Sequence, residues 1–130
     1  MEVFMSRDFR LFDKDLLSPE HFPVKAMFDM VPDSRFMNTL EWISKGYGFG
    51  ENYGACIFPK NQDEYDIETR GKLNGVEFGL HNGKEVVLDY NTFYYYLKKV
   101  CADYIDDFPN DKNVVNELLT RFKALFNIRG

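Results

Sequence analysis

The sequence predicts an α+β fold: an antiparallel four-strand meander packed against an N-terminal helix and a C-terminal antiparallel helix pair. Three observations lead there. Residues 75–108 read as a β-hairpin that runs straight into a long amphipathic helix. A second apolar-striped segment follows Pro109, after a link too short for anything but an antiparallel return. The middle of the chain alternates apolar and polar residues with the period of two that marks half-buried strands. At 130 residues the chain is expected to form one domain, 1–130, with 1–32 a partly irregular N-terminal arm and 33–130 the α+β body.

Taken in order, the arm offers Phe4, Phe9, Phe12, Leu16 and Leu17 without a clean period, and Pro19, Pro23 and Pro32 interrupt any long element. Val24–Met30 has room for a short helical turn. Asp33 or Ser34 is placed to cap a helix over about 34–45, whose stripe is Phe36, Met37, Leu40 and Ile43, with Glu41 and Lys45 outside. Gly46 ends it in the left-handed position past a helix C-terminus. Strands are expected at 52–58, 64–69, 75–80 and 84–88. In the first of these Tyr53, Ala55 and Ile57 share one face, and Gly54, Cys56 and Phe58 the other. Both faces are mostly apolar, which suits a central or helix-covered strand. In the second, Tyr65, Ile67 and Thr69 oppose Glu64, Asp66 and Glu68. Val76, Phe78 and Leu80 form the buried face of the third, and Asn82-Gly83 suits a type I′ turn into Glu85–Leu88. Asp89 or Asn91 can cap a helix over 91–107, whose stripe is Phe93, Leu97, Val100, Cys101, Tyr104, Ile105 and Phe108. Asn110 or Asp111 caps the last helix, striped by Val115, Leu118, Leu119, Phe122, Leu125 and Phe126.

Bulk properties exclude several classes. The net charge of −5 and pI near 5.0 argue against a nucleic-acid-binding protein, whose phosphate partners demand clustered Lys and Arg. They fit a soluble protein, or one whose partner is itself basic. Aromatic residues make up 17% of the chain, and the surplus of tyrosine suggests surfaces that meet something. Cys56 and Cys101 lie far apart in apolar contexts, the pattern of buried free thiols rather than a disulfide. The start of the chain lacks a basic and then apolar leader, and no apolar run approaches the ~20 residues that span a bilayer. The expected location is cytoplasmic.

Catalytic candidates are few. The run Gly46-Tyr47-Gly48-Phe49-Gly50 leads from a helix into a strand, the wrong order for a phosphate loop. His21 and His81 read as surface histidines, and no zinc or nucleophile motif is present, so neither cofactor nor metal is expected. Charge is unevenly placed. Residues 51–111 hold twelve acidic and six basic side chains, a net −6, while the rest is near neutral. Asp63, Glu64, Asp66 and Glu68, read as one face of a strand, have three uses: a solvated face, a docking surface for a basic partner, or a divalent-metal site. The metal reading is the weakest, for want of a calcium-loop spacing. In Tyr94-Tyr95-Tyr96, successive helix positions turn by ~100°, so at least one ring is exposed or half-exposed. Plain packing and an interface anchor both account for it.

The succession Gly46–Gly50, Tyr53, Cys56-Ile57-Phe58-Pro59, the acidic Asp63–Glu68 segment, Gly75-Val76-Glu77-Phe78, and Val86–Leu88 leading to Phe93-Tyr94-Tyr95-Tyr96-Leu97-Lys98 resembles a known family. It is similar to the immunity proteins that guard against ribonuclease toxins of bacterial contact-dependent growth inhibition systems (the CdiI type). The resemblance covers roughly residues 34–125 and rests on the order and intervals of the pieces. It implies a cytoplasmic, non-enzymatic inhibitor that binds a cognate toxin's nuclease domain, expected to be basic, in a one-to-one complex and blocks access to RNA. On this reading the partner-binding candidates are Asp63, Glu64, Asp66, Glu68 and Glu77, with Tyr94 and Tyr95 as anchors, while the matched glycines and other aromatics serve the fold. The alternative is a small-ligand-binding or enzymatic domain using the sheet–helix cleft with His81 and nearby carboxylates. An adaptor with some other protein partner is a third possibility.

Overall fold

The structure, a computed structural model, describes residues 9–129. It is α+β, with five helices and one four-stranded antiparallel sheet. In chain order these are α1 (Phe22–Met30), α2 (Asp33–Ser44), β1 (Phe49–Glu51), β2 (Gly54–Ile57), α3 (Glu64–Arg70), β3 (Val76–Leu80), β4 (Glu85–Leu88), α4 (Tyr90–Asp107) and α5 (Lys112–Leu125). Short 3-10 turns at Asp13–Asp15, Pro19–His21, Pro59–Asn61 and Pro109–Asp111 join them.

The meander is real, but its membership differs from the expectation at one strand. The sheet runs β1-β2-β3-β4, and 64–69 belongs to α3 instead of a strand. The missing strand is β1, hidden in the sequence because it is three residues long, with Gly48 before it and Gly50 within it. Gly48 is there because the chain passes close to β2: a Cβ at that position would lie 1.8 Å from the Cys56 carbonyl oxygen.

Register fixes the two faces. Phe49, Cys56, Phe78 and Val86 lie opposite one another across the four strands, as do Ile57, Glu77 and Val87 across three. The first row faces the helices. Phe78 is fully buried, with its ring 5.9 Å from Phe28 of α1 and 5.8 Å from Phe93 of α4. Each such ring removed from water is worth about 1.5–3 kcal/mol. The second row lies on the far face, where Val87 is half-exposed. The hairpin turn also differs from the expected type I′. Only Gly83 has a positive φ, Gly83 N–H donates to Leu80 O, and Leu80 N–H donates to Lys84 O, the pattern of a three-residue loop with a glycine bulge.

Among the described residues, the N-terminal segment packs into the core. Pro23 lies in the first turn of α1, where its missing N–H costs nothing, so it starts the helix instead of breaking it. Val24, Met27 and Phe28 are essentially inaccessible, and Leu11 joins them. Phe4 lies outside the described residues. In α2, Phe36, Leu40 and Ile43 of the expected stripe are buried and Met37 is partly buried. Its N-cap is Pro32, which makes no side-chain cap bond; Asp33 instead accepts from Arg10 at 2.7 Å. Tyr90 at the start of α4 stacks on Phe126 just past α5, so these two helices run antiparallel. Asp111 stands at the N-cap of α5 without a side-chain cap bond and accepts from the Tyr104 hydroxyl at 2.7 Å. Burial and that carboxylate push the Tyr104 phenol up to about 12. Cys56 and Cys101 are buried free thiols, and burial raises both, Cys101 to about 12.

Asp89 caps α4, its Oδ1 accepting from the Thr92 N–H at 2.7 Å. That bond holds the carboxyl below its ordinary value of 3.8. A depressed folded-state value stabilises the protein above the unfolded value and is lost as pH falls through the folded one. Asp89→Ala should therefore cost about 1 kcal/mol at neutral pH by urea unfolding. The gap between parent and variant should close as the pH drops below about 4, the ordinary aspartate range. A gap that persists at pH 2 would show that the carboxylate does not act as the cap.

Candidate functional site

The acidic segment folds as a helix that contributes no buried residue to the protein. Asp63 is its N-cap, with Oδ1 accepting from the Asp66 N–H at 2.8 Å. Gly71, at φ +80°, ends it. Polar side chains hold it in place. Gln62 donates to Asp66 at 3.1 Å and to the Gly71 carbonyl at 3.0 Å, and accepts from the Leu73 N–H at 2.8 Å. Arg70 reaches back to the far face of the sheet and grips both oxygens of Glu77, at 2.9 and 2.7 Å. Asp66, one helical turn before Arg70, lies 3.5 Å from the same guanidinium. The two carboxylates raise the Arg70 pKa above its ordinary value, Glu77 most of all.

These bonds turn one side of α3 toward the sheet and leave the opposite side free. At ~100° per residue, Asp66 and Arg70 share the inner side, while Glu64 and Glu68 share the outer one. Tyr65 and Ile67 flank that outer pair, and Tyr65 is 74% exposed. So Glu64, Asp66 and Glu68 do not face one way, as they would on a strand. Glu64 and Glu68 are exposed together, whereas Asp66 is partly buried and Glu77 is buried beneath Arg70. The expected strand sets Tyr65 and Ile67 opposite the carboxylates, whereas on the helix both are surface residues beside Glu64 and Glu68. The capping residue Asp63 and the helix stop at Gly71 were the signals that could have found them.

The tyrosines lie elsewhere in α4. Tyr94 is buried, its ring parallel to that of Phe122 at 6.1 Å. Tyr95 is half-buried, and its hydroxyl donates to the Asp15 carbonyl at 3.3 Å. Tyr96 is fully buried; its hydroxyl accepts from the Leu17 N–H at 2.8 Å and lies 2.7 Å from His21 Nδ1. Desolvation raises the phenol pKa of both Tyr94 and Tyr96. His21 is thus a half-buried partner of Tyr96 and not a surface histidine. Together these residues seat the segment 15–21 on α4.

His81 is exposed, as expected. With Ala26, Met30, Tyr53, Leu80 and Asn82 it lines an open, largely apolar hollow of about 290 Å³ between α1 and the sheet end. The lining holds no carboxylate, so the hollow does not pair His81 with the acid that a general-base reading requires. Among the described residues, no three His, Cys, Asp or Glu side chains are grouped so as to hold a metal ion, and no helix is long and apolar enough to cross a membrane.

A family model described as CDI immunity protein matches residues 20–119. Curated proteins give no match to the chain.

Proposed function

The chain belongs to the CDI immunity protein family, and from that premise we propose that it neutralises a ribonuclease toxin domain in the cytoplasm by binding it one-to-one and closing its RNA path. It acts as an inhibitor and catalyses nothing. The observation that carries the site is α3, a helix fixed by polar bonds with Glu64 and Glu68 turned outward. A ribonuclease attracts phosphate and so presents cations; a carboxylate pair on a rigid mount complements them and speeds encounter. Glu64 and Glu68 make the direct contacts, and Tyr65 supplies apolar area between them and the partner. Asp63, Asp66 and Glu77 act at the same site through the helix they anchor. Of the two tyrosines expected as anchors, Tyr94 is buried on α4 and Tyr95 is the more accessible, so any contact with the partner from α4 falls to Tyr95.

Co-expression with the toxin domain encoded beside this chain's gene, followed by pull-down and an RNA-degradation assay, tests the reading. A stable complex with intact RNA is expected. Free toxin that still degrades RNA in the presence of this protein would overturn it.

A further inference from the structure

A second surface cluster has chemistry opposite to that of α3. Trp42, the only tryptophan of the chain, is 49% exposed at the end of α2. Its ring meets that of Tyr47 edge-on at 5.7 Å. Lys45 Nζ lies 5.4 Å from the Trp42 ring centre, and Lys60 Nζ 5.4 Å from that of Tyr47. Lys60 also donates to the Lys45 carbonyl at 2.9 Å, which draws the turn Pro59–Asn61 against the end of α2. Gly46 lies between these pieces: a Cβ there would sit 3.4 Å from the side chains of both Lys60 and Leu125, and Leu125 is 46% exposed. Two rings, one aliphatic side chain and two ammonium groups therefore meet on one patch. Glu41, 3.9 Å from Lys45, is the nearby anion and leaves the patch positive.

We propose that this patch is a second docking surface, which takes an acidic segment of a protein partner. Trp42 is its apolar anchor, and Lys45 and Lys60 are the charge complement. Tryptophan and tyrosine are the side chains enriched in interface hot spots, and the two lysines at their rim set the charge of what they meet. A nucleic-acid strand fits less well, because two lysines on a chain of net charge −5 do not offset a polyphosphate. The inference rests on the toxin-binding reading and deepens it: the acidic segment belongs to the toxin domain. Lys60 is three residues from the cap of α3, a reach of at most about 10 Å, so one partner can span both surfaces. Such a partner offers cations to Glu64 and Glu68 and anions to Lys45 and Lys60.

The test is the affinity of the toxin domain for the parent, Trp42→Ala, Trp42→Phe and Lys45→Glu, each with thermal unfolding as a control of fold. Trp42→Ala should bind about 30-fold more weakly, with partial recovery in Trp42→Phe. Lys45→Glu should bind about 10-fold more weakly. Undirected attraction between an acidic inhibitor and a basic toxin predicts the reverse for Lys45→Glu, because that change adds negative charge. Unchanged or tighter binding by Lys45→Glu overturns the proposal. A second arm follows Trp42 fluorescence with a tryptophan-free Glu/Leu-rich peptide, a Lys/Leu-rich peptide and oligo-dT. A blue shift with the acidic peptide alone supports the patch; silence toward it, or a response to oligo-dT instead, overturns it. If the parent fails to bind the toxin domain, the immunity reading falls, and the peptide arm still decides the patch.

Discussion

Glu64→Lys together with Glu68→Lys should weaken toxin binding by about 30- to 100-fold, with the melting temperature nearly unchanged. The small stability effect follows from their place in α3. Both side chains are exposed, and the helix buries no residue. A lysine at 64 opposes the positive end of the helix dipole, while a lysine at 68 favours its negative end, so the two changes largely offset. The binding effect is large because reversal replaces two attractions with two repulsions at a site whose partner is cationic. Most of the loss should appear in the association rate, and it should shrink at 0.5 M salt, where screening acts over about 4 Å. Glu64→Gln with Glu68→Gln should fall between the parent and the reversal. Surface plasmon resonance at two salt concentrations reads all of this. Parent-like binding by the lysine variant would move the interface off α3.

That site was legible in the sequence only in part, and the reason is physical. The alternation of acidic and apolar residues over Glu64–Glu68 fits a strand, but it also fits a short helix that needs no buried stripe. Here the sheet had no need of 64–70, because β1 and β2 already pair through Phe49 and Cys56. Nothing in the local pattern carries that information. The outward face of α3 was set by Arg70 finding Glu77, seven residues away on another element. Longer segments were readable, since periodicity accumulates along them. In α4, Phe93, Leu97, Val100, Cys101 and Tyr104 are buried, whereas Ile105 is partly buried and Phe108, just past the helix, is exposed. The tyrosine triplet shows the limit of that rule. Spacing said that the three rings diverge, but not that segment 15–21 would cover Tyr96 and bond its hydroxyl. The same limit shortened α1 to a helical turn over Val24–Met30, because proline in a first turn looks identical in sequence to proline as a breaker.

Phe58→Ala should be the most destabilising single change, at about 3–5 kcal/mol, lowering the melting temperature by about 10–20 °C. Phe58 follows β2 and is fully buried. Its ring lies 5.4 Å from Phe93 and 6.2 Å from Phe122, both nearly edge-on, and 5.6 Å from Phe126. It therefore joins the sheet to both C-terminal helices. Burial of its ring accounts for about half of the expected loss, and the cavity for the remainder. Phe58→Leu should recover most of it, because the volume is largely kept. Urea unfolding followed by far-ultraviolet circular dichroism separates these cases, and a Phe58→Ala midpoint close to the parent's would contradict the packing argument. The consequence for binding differs in kind from that of the α3 reversal. Phe58 immediately precedes the turn that carries Lys60 and leads to Gln62 and α3, so its loss slackens the mount of both proposed surfaces. Toxin affinity in Phe58→Ala should fall steeply as temperature approaches its lowered melting point. In Glu64→Lys with Glu68→Lys it should track salt instead.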